Sequence, residues 1–314
     1  MIRMISRIAL AAGALACAAA APVQGAPARR SVAAPACDRE CWKGHIDAYL
    51  DAIVSRDPNR VPLAASNKAT VNGRPMTFQE EFWKTTDGFP YRQYLVDPET
   101  RQVAVFAVAT EGNQRGTFFT RLKVVGGKFA EIETIVGDRR PDGVPGLISP
   151  NPLWDYVIPP QQRRSRAELI RIADSYAQGL ENHDGSKIPA TLDCRRFEDG
   201  VQTSLNPYNR TPLPCNQGFQ AIRYMDKILN RRYLMADVSR GLVLVNGVIS
   251  VSHTLPPGPP KEVNYVSGMI MPPNPWSTQP HDTLSQGLFK VIDGKITEFQ
   301  AFRRDMPHGW GSGW

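Results

Sequence analysis

Apolar residues recur along this chain at two spacings, which predict helices followed by strands. Helical spacing runs from Trp42 to Ile53 and again from Leu169 to Leu180. Later in each half, apolar residues alternate with others, as from Val243 to Val251, which is typical of a strand with one buried face. Gly126-Gly127 and Asp293-Gly294 separate such segments and favour hairpin turns. Helices followed by hairpin-linked strands predict the α+β class, with antiparallel sheets packed on helices.

The order of these elements is repeated, because three segments of the first half recur in the second. The matched segments begin at Tyr49 and Tyr176, at Tyr94 and Tyr233, and at Leu122 and Phe289. Their offset grows from 127 to 139 to 167 residues, so the second copy carries insertions around 203–218 and 254–283. Three similar blocks in the same order indicate a tandem duplication.

The duplication and its flanking segments divide the chain into six parts. They are a signal peptide at 1–26, a linker at 27–36, a first domain at 37–140, a connector at 141–164, a second domain at 165–305 and a Gly/Trp tail at 306–314. A short helix is expected at Gln79–Trp83, with a counterpart at Phe219–Leu229. We expect the tail to fold over a pocket mouth or over the interface between the domains, because exposed tryptophan is costly.

The first 26 residues have the order of charged and apolar residues that is typical of a secretory signal peptide. Arg3 and Arg7 precede an apolar run from Ile8 to Ala21, and small residues follow it. This run is shorter than the ~20 residues of a membrane-spanning helix, and no later stretch approaches that length. The sequence therefore predicts a secreted or periplasmic protein without a membrane span. Lipid attachment at Cys17 is the alternative, although the residues before Cys17 make a poor lipobox.

The charge distribution does not indicate a nucleic-acid partner. The chain holds 37 Lys and Arg against 30 Asp and Glu, a net charge of +7 that falls to +5 when Arg3 and Arg7 are removed with the leader. The other basic residues include isolated pairs such as Arg231-Arg232, without interleaved aromatic residues. Solvated surface accounts for these pairs, and we expect no nucleic-acid binding.

Four cysteines remain after the leader, and an even number in an exported chain predicts disulfides. Three pairings are open, of which the simplest joins Cys37 to Cys41 and Cys194 to Cys215. The Cys37–Cys41 bridge needs an irregular turn because disulfide geometry is narrow. A four-cysteine zinc site lacks its usual spacing, so no metal is expected.

Each copy has a helix tyrosine followed by an aspartate, Tyr49 with Asp57 and Tyr176 with Asp184, and the second copy closes with the segment FKVIDGKITEFQAF. These features resemble the nuclear-transport-factor-2-like superfamily, which includes SnoaL-like polyketide cyclases, scytalone dehydratase and ketosteroid isomerase. The resemblance implies two cone-shaped domains over residues 37–305, each a curved antiparallel sheet packed on helices around an apolar pocket. The two domains would form a pseudo-dimer within one chain, and assembly into a homo-oligomer stays open. The tail is similar to those of a secreted two-copy subgroup.

The resemblance implies a cofactor-independent enzyme or a ligand-binding module. Enzymes of this superfamily mostly act without cofactors, by proton abstraction, dehydration, isomerisation or bond cleavage. We therefore expect a lyase or isomerase for a small apolar oxygenated molecule, such as an aromatic one, with a secreted binding or interaction module as the alternative. Motifs for phosphoryl transfer, zinc proteolysis and serine hydrolysis are absent from the sequence.

Cofactor-free acid–base chemistry needs a base, a donor to the developing oxyanion and a dry pocket. His253 continues the predicted buried face of the strand from Val243 to Val251, which makes it the candidate acid–base residue; a hydrogen-bonded core histidine is the other interpretation. Tyr176 and Arg231 are the candidates for orienting the substrate oxygen. Candidate substrate contacts are Tyr49, Tyr233, Glu198 and Trp310.

Overall fold

The computed structural model describes residues 37–141, 143–144, 146–206, 213–221, 225–251, 262–263, 270–271 and 279–314. The predicted signal peptide, the linker and His253 lie outside these residues. Residues 37–314 belong to one compact unit. Within the described ranges, no helix has the length and apolar character needed to cross a membrane.

A long helix begins each copy, as the apolar spacing predicted. The first is α1 (Arg39–Val54), whose N-cap Asp38 accepts a hydrogen bond from the Cys41 amide at 2.9 Å. The second is α3 (Arg166–Glu181), which begins with a capping box between Ser165 and Glu168. Each helix places its apolar face on a sheet. The helix between them, α2 (Glu81–Thr85), is a single short turn in the first copy.

The first sheet has six strands in the order β2-β1-β6-β5-β4-β3. Its strands are β1 (Leu63–Val71), β2 (Arg74–Pro75), β3 (Gly88–Asp97), β4 (Gln102–Glu111), β5 (Gln114–Val125) and β6 (Lys128–Val136). Neighbouring strands are antiparallel except β1 and β6, which run parallel because the rest of the sheet, and not a hairpin, connects them.

The second sheet repeats this topology in the order β8-β7-β14-β13-β10-β9. Its strands are β7 (Ala190–Glu198), β8 (Val201–Gln202), β9 (Lys227–Asp237), β10 (Leu242–Val251), β13 (His281–Ile292) and β14 (Lys295–Pro307), and β11 (Glu262–Val263) pairs separately with β12 (Ile270–Met271). The predicted α+β class, with two tandem domains, is confirmed. The helix expected at Phe219–Leu229 is shorter, because Lys227–Leu229 pair with β10 as part of β9.

Both disulfides of the simplest pairing are present. Cys37 is bonded to Cys41 and Cys194 to Cys215. The second bridge is fully buried and ties β7 to the loop that follows β8. The first bridge lies at the start of α1, where Cys41 is exposed.

The two sheets pack against each other through a shared apolar layer. Phe106 and Phe119 of the first sheet meet Leu288 and Phe302 of the second, and the ring centroids of Phe106 and Phe302 are 5.0 Å apart. Trp154 of the connector is fully buried in the same layer. The expected pseudo-dimer is therefore built sheet against sheet.

Reciprocal ion pairs show that the two domains are related like subunits of a two-fold dimer. Arg39, the first residue of α1, pairs with Asp237 of the second domain at 2.9 Å. Arg166, the first residue of α3, pairs with Asp97 of the first domain at 2.5 Å. Asp97 and Asp237 each end the edge strand of their sheet. Equivalent residues thus exchange equivalent contacts, as in an isologous interface.

The Gly/Trp tail folds back onto the first domain. The Trp310 indole donates to the Asn72 carbonyl at 2.8 Å, and the Trp314 indole donates to the Thr70 hydroxyl at 2.9 Å. The Arg74 guanidinium lies 3.7 Å from the Trp310 ring centroid. The three tail glycines all have positive φ, which side-chain-bearing residues rarely adopt. The tail therefore joins the domains, which is one of the two placements that we expected.

Removing the second tail tryptophan should weaken this connection. We expect Trp314→Ala to lower the free energy of unfolding by about 2 kcal/mol, because an indole loses its apolar contacts and its hydrogen bond. Urea unfolding of the full chain measures the change. Leu192→Ala is the control, since that side chain is exposed and should change stability by less than about 0.5 kcal/mol. Equal effects of the two substitutions would contradict a joining role for the tail.

Candidate functional site

The second domain has a cavity between α3 and the face of the sheet that packs on this helix. Its volume is about 70 Å³. Most of the wall is apolar, and the apolar lining comprises Ala173, Ala177, Leu180, Met225, Ile228, Val245, Ile249, Phe289, Phe299 and Ala301. A largely apolar wall with few polar groups is typical of small-molecule sites.

Titratable side chains converge in this cavity. Tyr176 of α3, Arg196 and Glu198 of β7, and Arg303 of β14 all line it. Glu198 lies 3.4 Å from the Arg303 guanidinium and 4.0 Å from that of Arg196. Alternate residues of β7 share one face of the sheet, which places Arg196 and Glu198 side by side. The parallel pairing of β7 with β14 brings Arg303 beside them.

Burial and neighbouring charges set the protonation of these groups. Burial opposes ionisation of Glu198, but the Arg303 and Arg196 guanidiniums hold the pKa of its carboxyl below the ordinary value. Burial raises the pKa of the Tyr176 phenol, whose hydroxyl donates to the Cys215 carbonyl at 3.2 Å. Burial likewise raises the pKa of Asp199, which accepts from Arg303 next to Glu198. The cavity therefore holds an ionised carboxylate close to a protonated phenol.

The equivalent space in the first domain is filled with side chains. Phe118 occupies the position of Ser285, and its ring packs on Phe89 with centroids 4.8 Å apart. Trp83 of α2 packs on Tyr49, the counterpart of Tyr176, at 5.8 Å. The strand register also aligns the charged cavity residues with small or apolar ones. Ala69, Val71 and Val136 stand in the places of Arg196, Glu198 and Arg303.

A wider cleft opens on the first domain, and both arginines that line it are paired with carboxylates. Arg139 pairs with Glu111, and Arg304 pairs with Asp138 across the cleft wall. This cleft is more polar than the cavity of the second domain. The converging titratable groups and the apolar wall occur together in the second domain, which is therefore the better candidate site.

Comparison with known families identifies the chain. A family model described as "Domain of unknown function (DUF8021)" matches residues 36–136 and 162–303. The chain belongs to the DUF8021 family. The two matched segments contain the two sheets described above, apart from the last residues of β14. No curated protein matches the chain significantly.

Several solved structures resemble part of this DUF8021 protein. They include a de novo designed protein with a curved β-sheet (13% identity, 45% of this chain and 88% of the other, TM-score 0.28), a protein described as a SnoaL-like polyketide cyclase from Jannaschia sp. CCS1 (14%, 45% and 90%, 0.28), and a protein described as a hydroxylase from Streptomyces galilaeus (13%, 46% and 83%, 0.30). Each covers less than half of the chain. The strand order and the packing of one long helix on the sheet are the same in both domains.

The structure brings together two of the residues that the sequence proposed for the site. Tyr176 and Glu198 line the cavity of the second DUF8021 domain. Tyr49 lies in the core of the first domain, where its ring packs on Trp83 and Phe129. Trp310 contacts the first domain through Asn72 and does not line the cavity. His253 lies outside the described residues.

Arg231 and Tyr233 of β9 do not line the cavity, although Tyr233 packs against the apolar cluster that contains Tyr176. Arg231 pairs with Glu181 at 3.1 Å, and the Tyr233 hydroxyl donates to Asp174. Both acceptors belong to α3, so these contacts hold the helix on the edge strand β9. The edge strand reaches Asp174 because long side chains of β9 cross the gap between strand and helix.

The same arrangement exists in the first domain. Asp47 of α1 accepts from Arg92 and from the Tyr94 hydroxyl, each at 2.6 Å. The cluster therefore occurs both in the domain that has a cavity and in the domain whose interior is filled. We infer that it holds the helix on the sheet in both domains and is not specific to the cavity.

Arg196 and Arg303 were not among the candidates from the sequence. The sequence does contain evidence for them, since each stands at a position where the first copy has an apolar residue. A position-by-position comparison of the two copies for new charges would have found both. Their significance depends on strand pairing, because 107 residues separate them along the chain.

Proposed function

We propose that the second domain is a cofactor-independent lyase or isomerase that transfers protons in a small, apolar, oxygenated molecule. The observation that supports this most is the set of charges that differs between the copies. Glu198, Arg196 and Arg303 line a cavity in the second domain, whereas the first domain has apolar residues at these positions and a filled interior. Charges beside an apolar cavity cost stability unless they are paired, which favours a functional reason for them.

Each cavity residue has a role in this proposal. The Glu198 carboxylate removes a proton from a carbon next to a carbonyl group. The protonated Tyr176 phenol turns from the Cys215 carbonyl to donate to the oxyanion that develops on the substrate's carbonyl oxygen, and Arg196 adds positive charge on the same side. Arg303 holds the carboxylate in place, since it contacts both Glu198 and Asp199. Apolar walls exclude water and strengthen these interactions.

His253 and Arg231, which the sequence predicted for the site, have different roles in this proposal. His253 remains a candidate acid or base, because the strand β10 that precedes it contributes Val245 and Ile249 to the cavity wall. Arg231 is assigned to fastening α3, since its partners lie on that helix. Secretion is also proposed, and the two disulfides support an oxidising compartment.

Hydrogen–deuterium exchange tests the proposed reaction class without knowledge of the natural substrate. Small cyclic ketones and enones are incubated with the protein in D₂O, and deuterium at the carbon next to the carbonyl is followed by NMR. We expect Glu198→Gln to slow catalysed exchange by about 100-fold or more, because the amide cannot accept the proton. The rate should stay high over the whole pH range in which an ordinary glutamate is ionised and should fall only at a more acidic pH, since a lowered pKa keeps Glu198 ionised.

Glu40→Gln is the matched control, because Glu40 lies on α1 of the first domain. This variant should catalyse deuterium exchange of the ketone at the rate of the wild type. A ligand that binds and shifts the melting temperature without any exchange would favour the alternative, a binding protein. The pairing of Glu198 with two guanidiniums also fits that alternative. Exchange that is unchanged in Glu198→Gln would contradict the assignment of the base.

A further inference from the structure

The start of α1 gathers three metal-ligating side chains far from the cavity of the second domain. The sulfur atoms of Cys37 and Cys41 and a ring nitrogen of His45 all lie within 4.8 Å of one another. Cys41 and His45 are four residues apart on α1, so they share one face of the helix. We propose that Cys37, Cys41 and His45 bind zinc once the disulfide between the two cysteines is reduced.

The donor set and its spacing suit zinc. Zinc prefers thiolate and imidazole ligands with bonds of about 2.3 and 2.0 Å, so neighbouring ligand atoms in a tetrahedral site are roughly 3.5–3.8 Å apart. Opening the sulfur–sulfur bond lets the two sulfurs separate to that distance within the present cluster. Three protein ligands leave the fourth position for a water molecule.

His45 is held in position without using its nitrogens. Its ring lies edge-on to Trp42 and Phe129, with centroids 5.8 and 6.2 Å away. Among the described residues, none makes a hydrogen bond to either nitrogen of His45. The exposed Cys41 gives the ion a route from solvent. The imidazole is thus pre-oriented beside the sulfurs and available as a ligand.

Exposure makes this disulfide the more reducible of the two. Cys41 is exposed, whereas Cys194 and Cys215 are both fully buried. A phosphine supplies the two electrons that break the Cys37–Cys41 bond and takes up an oxygen atom from water, whose two protons go to the thiols. Zinc then displaces both thiol protons as it binds the sulfurs. The metal site therefore exists only in the reduced chain.

Zinc titration of the full chain tests the proposal in a Cys17→Ser background, so that only the four described cysteines remain. The protein is treated with a phosphine, which is then removed without air, and zinc is titrated against a chromophoric chelator. We expect one zinc per reduced chain and none in the oxidised chain. Alkylation and peptide mapping should label Cys37 and Cys41 but not Cys194 and Cys215. Cobalt in place of zinc should give a thiolate charge-transfer band.

Variants identify the ligands and can overturn the proposal. His45→Gln should weaken zinc binding at least 10-fold, while His183→Gln, at the end of α3, should leave it unchanged. The double variant Cys37→Ser/Cys41→Ser should lose the cobalt band. Zinc binding that survives this double variant, or that is equal in the oxidised chain, would refute the site. The proposal concerns the first domain and does not depend on the function proposed for the second.

Discussion

Filling the cavity with the ring that fills the first domain should strongly weaken ligand binding. Ser285 lines the cavity at the position that Phe118 occupies in the first sheet. In Ser285→Phe the ring should take the space of a bound molecule and weaken binding of a probe such as phenol or cyclohexenone by about 100-fold, or roughly 2.7 kcal/mol. Calorimetric titration measures the affinity, and deuterium exchange of the same ketone should fall with it.

Two controls separate loss of space from loss of fold. Ser285→Ala removes the hydroxyl but keeps the cavity open, so its affinity should stay within about threefold of the wild type. Ser285→Phe should also keep the circular dichroism of the wild type, since Phe118 shows that this sheet position accepts a ring. If Ser285→Phe binds the probe as the wild type does, the ligand occupies another part of the protein.

Removing one carboxylate from the domain interface should cause a large loss of stability. Glu133 is buried between Arg121, whose Nε lies 3.0 Å away, and Arg232 of the second domain. Arg121 itself is fully buried. We expect Glu133→Gln to lower the free energy of unfolding by about 3 kcal/mol, because Arg121 and Arg232 share this buried carboxylate and Arg121 keeps only Glu131. Urea unfolding of the full chain measures this loss.

Glu131→Gln is the matched control for the interface. Glu131 also pairs with Arg121, but its side chain is 27% exposed, so solvent should limit the loss to about 1 kcal/mol. The second domain has Leu288 and Gln300 where the first has Arg121 and Glu133. The double variant Arg121→Leu/Glu133→Gln should therefore recover part of the stability. If Glu133→Gln lowered the free energy of unfolding no more than Glu131→Gln does, the interface would not depend on the Glu133 charge.

Periodicity along the chain was sufficient to predict the elements that build each domain. Helix α3 begins at the capping box of Ser165 and Glu168, and the hairpin turn at Asp293-Gly294 joins β13 to β14 as predicted. These signals are local, since they depend on neighbours within about four residues. The strand start at Lys227 was not predicted, because pairing with β10 outweighs local helical preference there.

The site was predictable only in part. Tyr176 and Glu198 could be named because one lies on the inward face of a helix and the other beside a turn. Arg303 could not be placed with them, since its position depends on the parallel pairing of β7 with β14. Arg231 and Tyr233 contact α3, because a strand residue close to the sheet edge can reach the helix as well as the interior.

The sequence by itself determined that the chain contains two copies of one α+β unit and which cysteines pair most simply, because repeats and short loops are properties of chain order. Only the tertiary structure decided that one copy is filled and the other holds a cavity. Whether Phe118 or Ser285 faces the interior, and which charges meet there, follows from strand register and helix packing. Residues far apart in the chain make those contacts, so local patterns cannot report them.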